Sequence, residues 1–391
     1  MNMKKIIFNS LFVTLLGTLA FAQNKTAMIQ PLSTAMSTSE QIQSGLSLLK
    51  LEKNETSLEQ SMQFQNLIYQ KLNEFIQSEN GTLKYHVTEK KVGIPVLGEV
   101  RELTVLFKSL IQREGSDPSN TVVARIYIPY NYQRHCDYKF PTSIFLHHIL
   151  NEVEVIEKAS QLMTAGLLNS HAIFAVIHMP YYGERTSPTK QFLTADLNEF
   201  KLNLAQLTLD THMLKNILES LPEVDTTRLT LSGISLGSVL GLTVGAIDQS
   251  FSGYSFVVGG GDISSILLNR AKNRDDSEVA IALKGLTMSE AEVRQTLAAA
   301  DGFTWAHRYQ KQKIQLISAS RDDIVDYQQS VAPMIQTLKQ NNEVVHKLNN
   351  DTHSPSGSAL DKYKNVFKPI VNFVIGNAIP FREACQPNNN F

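Results

Sequence analysis

Ser235 is the residue whose setting promises chemistry most directly. It stands in Gly233-Ile234-Ser235-Leu236-Gly237, a G-x-S-x-G. Before it runs the apolar Leu229–Ser232, which reads as a short buried strand. After it comes a stretch with glycines at 237, 241 and 245, which reads as a helix over 235–248. A serine held exposed at the tip of a strand is forced into a strained backbone, and the flanking chain passes so close that side chains would collide. Glycines two before and two after remove the collision. The helix aims its N-terminus at the serine, where it favours the negative charge that develops when an acyl carbonyl is attacked. The chemistry implied is acyl transfer to a serine hydroxyl.

Such a hydroxyl is a weak nucleophile near neutral pH. It needs a base within hydrogen-bond reach, and the base needs an orienting carboxylate. On a parallel sheet both follow the serine in the chain, acid first and histidine second. The acid candidate is Asp322, in Ser320-Arg321-Asp322-Asp323-Ile324-Val325, a loop at the carboxyl end of a predicted strand. Asp323 is its neighbouring alternative and Asp262 a weaker one. The base candidate is His353, in Asn350-Asp351-Thr352-His353-Ser354-Pro355, after the last predicted strand.

The elements that must position these groups follow from periodicity. Leu103–Leu106 and Val122–Ile128 read as an antiparallel pair at a sheet edge. Pro141–His148, Ala172–Ile177, Leu229–Ser232, Tyr254–Val258, Lys313–Ser318 and Val344–Leu348 read as further strands, separated by helical patterns. Phe200, Leu204, Leu207, Leu214, Ile217 and Leu218 keep helical spacing and Pro222 ends that helix. Strands alternating with helices predict an α/β fold with a mostly parallel sheet and helices on both faces. The rhythm breaks over about 263–312, charged and helical with pieces at Val279–Leu286 and Ala291–Ala300, which predicts a helical cap. Residues 23–93 are Gln- and Ser-rich, with Met62, Leu67, Ile68, Leu72 and Phe75 near a helical stripe, and predict a helical N-terminal extension.

Together these features resemble the α/β-hydrolase superfamily, nearest to its dienelactone-hydrolase, acetyl-esterase and prolyl-oligopeptidase-like branches. The resemblance spans roughly residues 98–380. It is carried by Gly233-Ile-Ser235-Leu-Gly237, Asp322-Asp-Ile-Val325 and His353, and the stretch Asp301-Gly-Phe-Thr-Trp-Ala306 resembles the family too. It implies a mostly parallel sheet of the eight-stranded type in a domain over 94–380, with Ser235 as nucleophile, Asp322 as acid and His353 as base. The first oxyanion donor is then the N–H of Leu236. The family often carries His-Gly after its third strand, whereas this chain has His147-His148-Ile149, so the second donor is the N–H of His148 or Ile149. His147 has a core or a site role open to it. Tyr181, Tyr182 and Arg185, beyond another strand end, are candidates for a substrate pocket, with Arg185 able to hold an anionic group.

Composition narrows the class further. Lys and Arg total 36 against 37 Asp and Glu, so nothing points to nucleic acid. The N-terminus pairs Lys4-Lys5 with an apolar run from Ile6 to about Leu19 and then Ala20-Phe21-Ala22. That is a signal-peptide pattern, with cleavage expected after Ala22, export to a periplasm or outside the cell, and no membrane span in the mature chain. In an oxidising compartment Cys136 and Cys385 either pair, tying the C-terminal tail, 381–391, to the body, or stay free thiols. His147, His148 and His178 at strand ends raise a metal reading, but lack the spaced carboxylates or the H-E-x-x-H helix that would make it specific. The expected mechanism calls for no cofactor and no metal. The expected activity is hydrolysis of a small or lipid-like carboxylic ester. A peptidase or amidase with the same three residues, and a non-catalytic binding protein on the same scaffold, are the rival readings. Oligomeric state is left open.

Overall fold

Among the described residues ten strands form one sheet. The computed structural model describes residues 30–37, 59–79, 82–94, 97–129, 138–148, 153–165, 172–273, 289–353 and 363–376. The strands are β1 (Gln30–Ser37), β2 (Leu83–Ile94), β3 (Gly98–Lys108), β4 (Thr121–Pro129), β5 (Phe140–Leu146), β6 (Ile173–Ile177), β7 (Val224–Ile234), β8 (Gly253–Val257), β9 (Lys313–Ala319) and β10 (Glu343–Asn349). The block β6-β5-β7-β8-β9-β10 is parallel, and β1 to β4 join it through antiparallel pairings. Helices flank it: α1 (Glu59–Glu79), α2 (Val153–Thr164), α3 (Leu197–Glu219), α4 (Leu236–Ile247), α5 (Ile263–Asn273), α6 (Glu290–Leu297), α7 (Ala332–Lys339) and α8 (Lys368–Ile375).

Burial is deepest in the parallel block, as strands covered on both faces require. Every residue of β5, β6 and β8 is buried. α4 is buried all round, and its small residues let it lie close on the sheet: Gly241 backs onto Phe256 and Gly245 onto Tyr254.

Three expectations need correction. The β3–β4 pair is not at the sheet edge, because β2 pairs with β3 and β1 with β2. The N-terminal stretch is not wholly helical: it carries α1, but also β1 and β2, which bring the sheet to ten strands. β2 had a readable signal, since Leu83, Tyr85 and Val87 alternate with polar residues and all three are buried. Third, the expected cap divides. The piece Val279–Leu286 lies outside the described residues. From Leu297 to Tyr309 the chain packs into the core: Trp305 donates its indole N–H to Ala299 O at 2.9 Å, Thr243 Oγ1 donates to Ala300 O at 2.9 Å, and Tyr309 donates to Leu242 O at 2.7 Å. Phe64 of α1 packs against Trp305. The stretch 1–22 read as a signal peptide, Cys136, Cys385 and the C-terminal tail also lie outside the described residues. Among the described residues no helix is long and apolar enough to cross a membrane.

Candidate active site

Ser235 occupies the turn between β7 and α4 with φ 51° and ψ −118°, a region that side chains rarely adopt. Several backbone bonds hold it there. Its own N–H donates to Val257 O of β8 at 2.9 Å, and its carbonyl accepts from Ser238 and Val239 in the first turn of α4. The glycines do the work their spacing implies. A Cβ on Gly233 would overlap the carbonyl of Gly237, and a Cβ on Gly237 would overlap the carbonyl oxygen of Leu146 and lie 2.5 Å from that of His147. Thus the end of β5 and the start of α4 touch backbone to backbone.

The acid and histidine loops leave the neighbouring strands β9 and β10. They are laced together: Ser320 N donates to Asn349 O, and Arg321 donates from its backbone N to Asp351 O and from Nη2 to Asn350 O, all at 2.9–3.1 Å. His353 Nδ1 lies 2.9 and 3.0 Å from the two carboxylate oxygens of Asp322, and His353 Nε2 lies 2.7 Å from Ser235 Oγ. With Nδ1–H given to the carboxylate, Nε2 is the lone-pair nitrogen facing the serine hydroxyl. Asp322 Oδ1 also accepts the backbone N–H groups of Ile324 and Val325, at 2.9 and 2.8 Å, which fixes the carboxylate before the histidine reaches it. The Asp322 side chain is almost wholly buried, while Asp323 is exposed. Asp262 is engaged elsewhere, accepting from both Arg294 Nη1 and Ser265 Oγ.

Leu236 is the first residue of α4, so its N–H has no acceptor within the helix and points out of the helix end beside Ser235. Leu146 pairs with Gly233, two residues before Ser235, and the His147 carbonyl lies against Gly237, so the chain leaves β5 beside the serine turn. Ile149, the other named candidate for second donor, lies outside the described residues.

The remaining candidates turn out to be framework. His147 is fully buried: Nδ1 donates to His148 O at 2.8 Å and Nε2 accepts the N–H of Met179 at 3.2 Å. Burial pushes its pKa down to about 3, so it stays neutral. Tyr182 packs edge-on to its ring, with centroids 5.2 Å apart. Tyr181, at φ 63°, donates to Asp117 Oδ2 at 3.3 Å. Arg185 does not face a substrate. It is 0% exposed, pairs with Asp210 Oδ2 at 2.9 Å, donates from Nη1 to His178 O at 2.9 Å, and also donates to Ser119 O. Its partner Asp210 sits mid-way along α3, in Leu209-Asp210-Thr211-His212, where sequence gave it no distinction. His178 is held by Glu157 of α2 at 2.8 Å and accepts from Glu184 N at 3.1 Å. Among the described residues no three His, Cys, Asp or Glu side chains are grouped to hold a metal ion.

Asp301, at the head of the stretch Asp301–Ala306, has a structural part. Its carboxylate accepts the backbone N–H of Asp262, Ile263 and Phe303 at 2.8–3.0 Å, pinning the loop that leaves β8. Burial pushes its pKa up to about 6. A polar cleft lined by Asp262, Ser265, Asn269, Arg294 and Gln328 opens between that loop and the segment after the acid loop.

Comparisons with known proteins bear on the fold and on the class of reaction. The family model of acetyl xylan esterase matches residues 184–364. The structure resembles an acetyl xylan esterase from Paenibacillus sp. R4, with TM-score 0.52, 16% identity, and 86% of this chain and 98% of that one covered. It also resembles acetyl xylan esterase 1 from Thermoanaerobacterium sp. JW/SL YS485, with TM-score 0.54, 14% identity, and 84% and 98% covered. At these identities the likeness to solved structures speaks for the fold. Among curated proteins none matches the chain. The structural likeness gives the chain the α/β-hydrolase fold, and the family match over 184–364 supports a carboxylic ester hydrolase.

Proposed function

We propose that this chain is an exported serine esterase that removes acetyl groups from a hydroxyl-rich alcohol such as a carbohydrate. The observation that carries the reading is the 2.7 Å approach of Ser235 Oγ to His353 Nε2, with Asp322 on the far side of the imidazole. All three residues fall within the stretch matched by the acetyl xylan esterase model. Export rests on the N-terminal pattern of basic residues, apolar run and Ala20-Phe21-Ala22.

In the first half of the reaction Ser235 Oγ bonds to the acyl carbon and its proton passes to His353 Nε2. Asp322 stabilises the imidazolium. The oxyanion takes the N–H of Leu236 and a second donor from the loop after β5. Each such donor contributes about 3–4 kcal/mol of transition-state stabilisation. The carbon–alkoxy bond then breaks, and His353 returns the proton to the leaving alcohol. In the second half water gives its proton to His353 and attacks the acyl-enzyme, releasing acetate and restoring Ser235.

The test is turnover of p-nitrophenyl esters from acetate to palmitate beside acetate release from acetylated xylo-oligosaccharides. The proposal expects acetate to be the best acyl group and the oligosaccharide to be turned over. Folded protein with no ester turnover, or with an optimum at long acyl chains, would contradict it.

A further inference from the structure

β10 is the last strand of the sheet and, among the described residues, pairs with β9 alone. Which of its backbone groups stay open follows from that pairing. Glu343 N–H donates to Gln312 O at 3.0 Å, and Asn349 O accepts Ser320 N–H at 2.9 Å, both on the β9 side. In a parallel strand both backbone groups of one residue face one neighbour, and those of the next residue face the other. Val345 and Lys347 therefore also turn their backbone groups to β9. Val344, His346 and Leu348 present their N–H and C=O groups along the open edge. Such an edge is a template for another strand.

The side chains set this edge apart. Among the described residues the exposed large hydrophobic side chains are Val345, 51% exposed, and Leu348, 45% exposed, and both belong to β10. Side chains alternate between faces along a strand. One face carries Val344, half-buried against the core, and His346, stacked on Tyr327 and 3.3 Å from Ser318 Oγ. The other carries Glu343, Val345 and Lys347, all exposed. An apolar residue thus sits midway between an acid and a base. Laid antiparallel against a second copy of itself, this row matches glutamate to lysine at both ends.

We propose that β10 is a homodimer interface: two copies of the chain pair β10 antiparallel across a two-fold axis at Val345, so that one sheet runs through both. Val345 then meets Val345 of the second copy, and Glu343 of each copy faces Lys347 of the other. Val344 and His346, whose backbone groups are open, exchange backbone hydrogen bonds across the axis. Among two-fold registers centred on residues 343–347, only this one sets opposite charges face to face. Centring on Glu343 or Lys347 opposes like charges, and centring on Val344 or His346 sets each charge against an uncharged residue. Opposite charges directly across a ladder stabilise it and like charges destabilise it. Lys347 alone would guard the edge against pairing; with Glu343 across from it, the lysine fixes the register instead. The pairing uses up the same edge on both copies and so closes at a dimer. It is independent of the esterase reading.

The experiment is sedimentation velocity of the full mature chain at low ionic strength from about 1 to 100 µM, a range suited to the small interface that one strand pair makes. The wild type is expected to pass from one chain to two across that range. Val345→Lys sets like charges against each other on the axis and is expected to weaken the dimer at least about tenfold. Glu343→Lys and Lys347→Glu each oppose like charges at both ends, and each is expected to weaken it about tenfold. The double variant, Glu343→Lys with Lys347→Glu, exchanges the charges and is expected to return to within about threefold of the wild type. Circular dichroism melting checks the fold of each variant. If Val345→Lys does not fold, the charge exchange decides alone, since Glu343 and Lys347 are both exposed. A wild type that stays a single chain throughout overturns the proposal. So does a dimer indifferent to the single exchanges, or a double variant no better than they are. A wild type that dimerises only after residues 377–391 are removed assigns the edge to the chain's own tail, which also overturns it.

Discussion

Gly237 and Leu146 meet backbone to backbone: the first turn of α4 rests on the carbonyl that ends β5, with no room for a methyl group between them. This contact holds the helix N-terminus, the serine turn and the loop after β5 at one fixed spacing. Gly237→Ala is therefore expected to lose about 1–3 kcal/mol of stability through overpacking. It should also lose at least tenfold in kcat, since α4 must shift to admit the methyl. Urea unfolding and p-nitrophenyl acetate kinetics check both, and a stable, fully active variant would show that the close approach is not needed.

Arg185 and Asp210 form an ion pair with both side chains 0% exposed. Removing one member leaves the other charge buried and alone, at a cost of about 3–5 kcal/mol. Arg185→Met should lower stability by that order in urea unfolding. It should leave the KM ratio between neutral and anionic esters unchanged, because the guanidinium faces the loops after β3 and β6. A selective rise in KM for anionic esters would return Arg185 to the substrate pocket.

Asp301 supplies a pH signature. Burial raises its pKa from 3.8 to about 6, opposed by three backbone N–H donors and assisted by the nearby Asp262. The folded chain then holds this proton more tightly than the unfolded chain. The contribution is complete below about pH 4 and is lost as pH rises through 6, by about 3 kcal/mol for a shift of roughly two units. Unfolding free energies of wild type and Asp301→Asn at pH 4 and pH 7 test the sign. The difference, wild type minus variant, should shrink toward pH 7, and a growing difference contradicts it.

Asp322 is expected to act on rate rather than binding. Asp322→Asn removes the carboxylate that accepts His353 Nδ1–H and should lower kcat by about 10⁴-fold with KM little changed. Steady-state kinetics on p-nitrophenyl acetate check this, and Asp323→Asn should stay close to wild type because that side chain is exposed.

The parts of this fold that were legible in the sequence were those whose local pattern and tertiary role coincide. The strand, turn and helix around Ser235 could be read because glycine spacing records a backbone collision directly. Asp322 and His353 could be read because each follows a strand of the parallel block, where functional loops emerge. What escaped was set by distant partners. Arg185 reads as a pocket residue for an anionic group until Asp210 arrives from α3. His147 looks like a site residue until Met179 closes over it from the β6 loop. The residues 297–309 read as cap because they are helical and follow a charged stretch, yet Trp305 and Tyr309 find acceptors in the core. β2 escapes because the apolar stripe of α1, just before it, dominates the pattern of the whole segment.

The central claim is that Ser235 is the nucleophile. The direct measurement is the intact mass of the folded protein after reaction with a fluorophosphonate, wild type beside Ser235→Ala, with peptide mapping of the adduct. The account predicts one phosphonyl group per wild-type chain, on Ser235, with p-nitrophenyl acetate turnover lost in step, and no adduct on the variant. An unlabelled wild type, or a label and ester turnover that persist in Ser235→Ala, would contradict it.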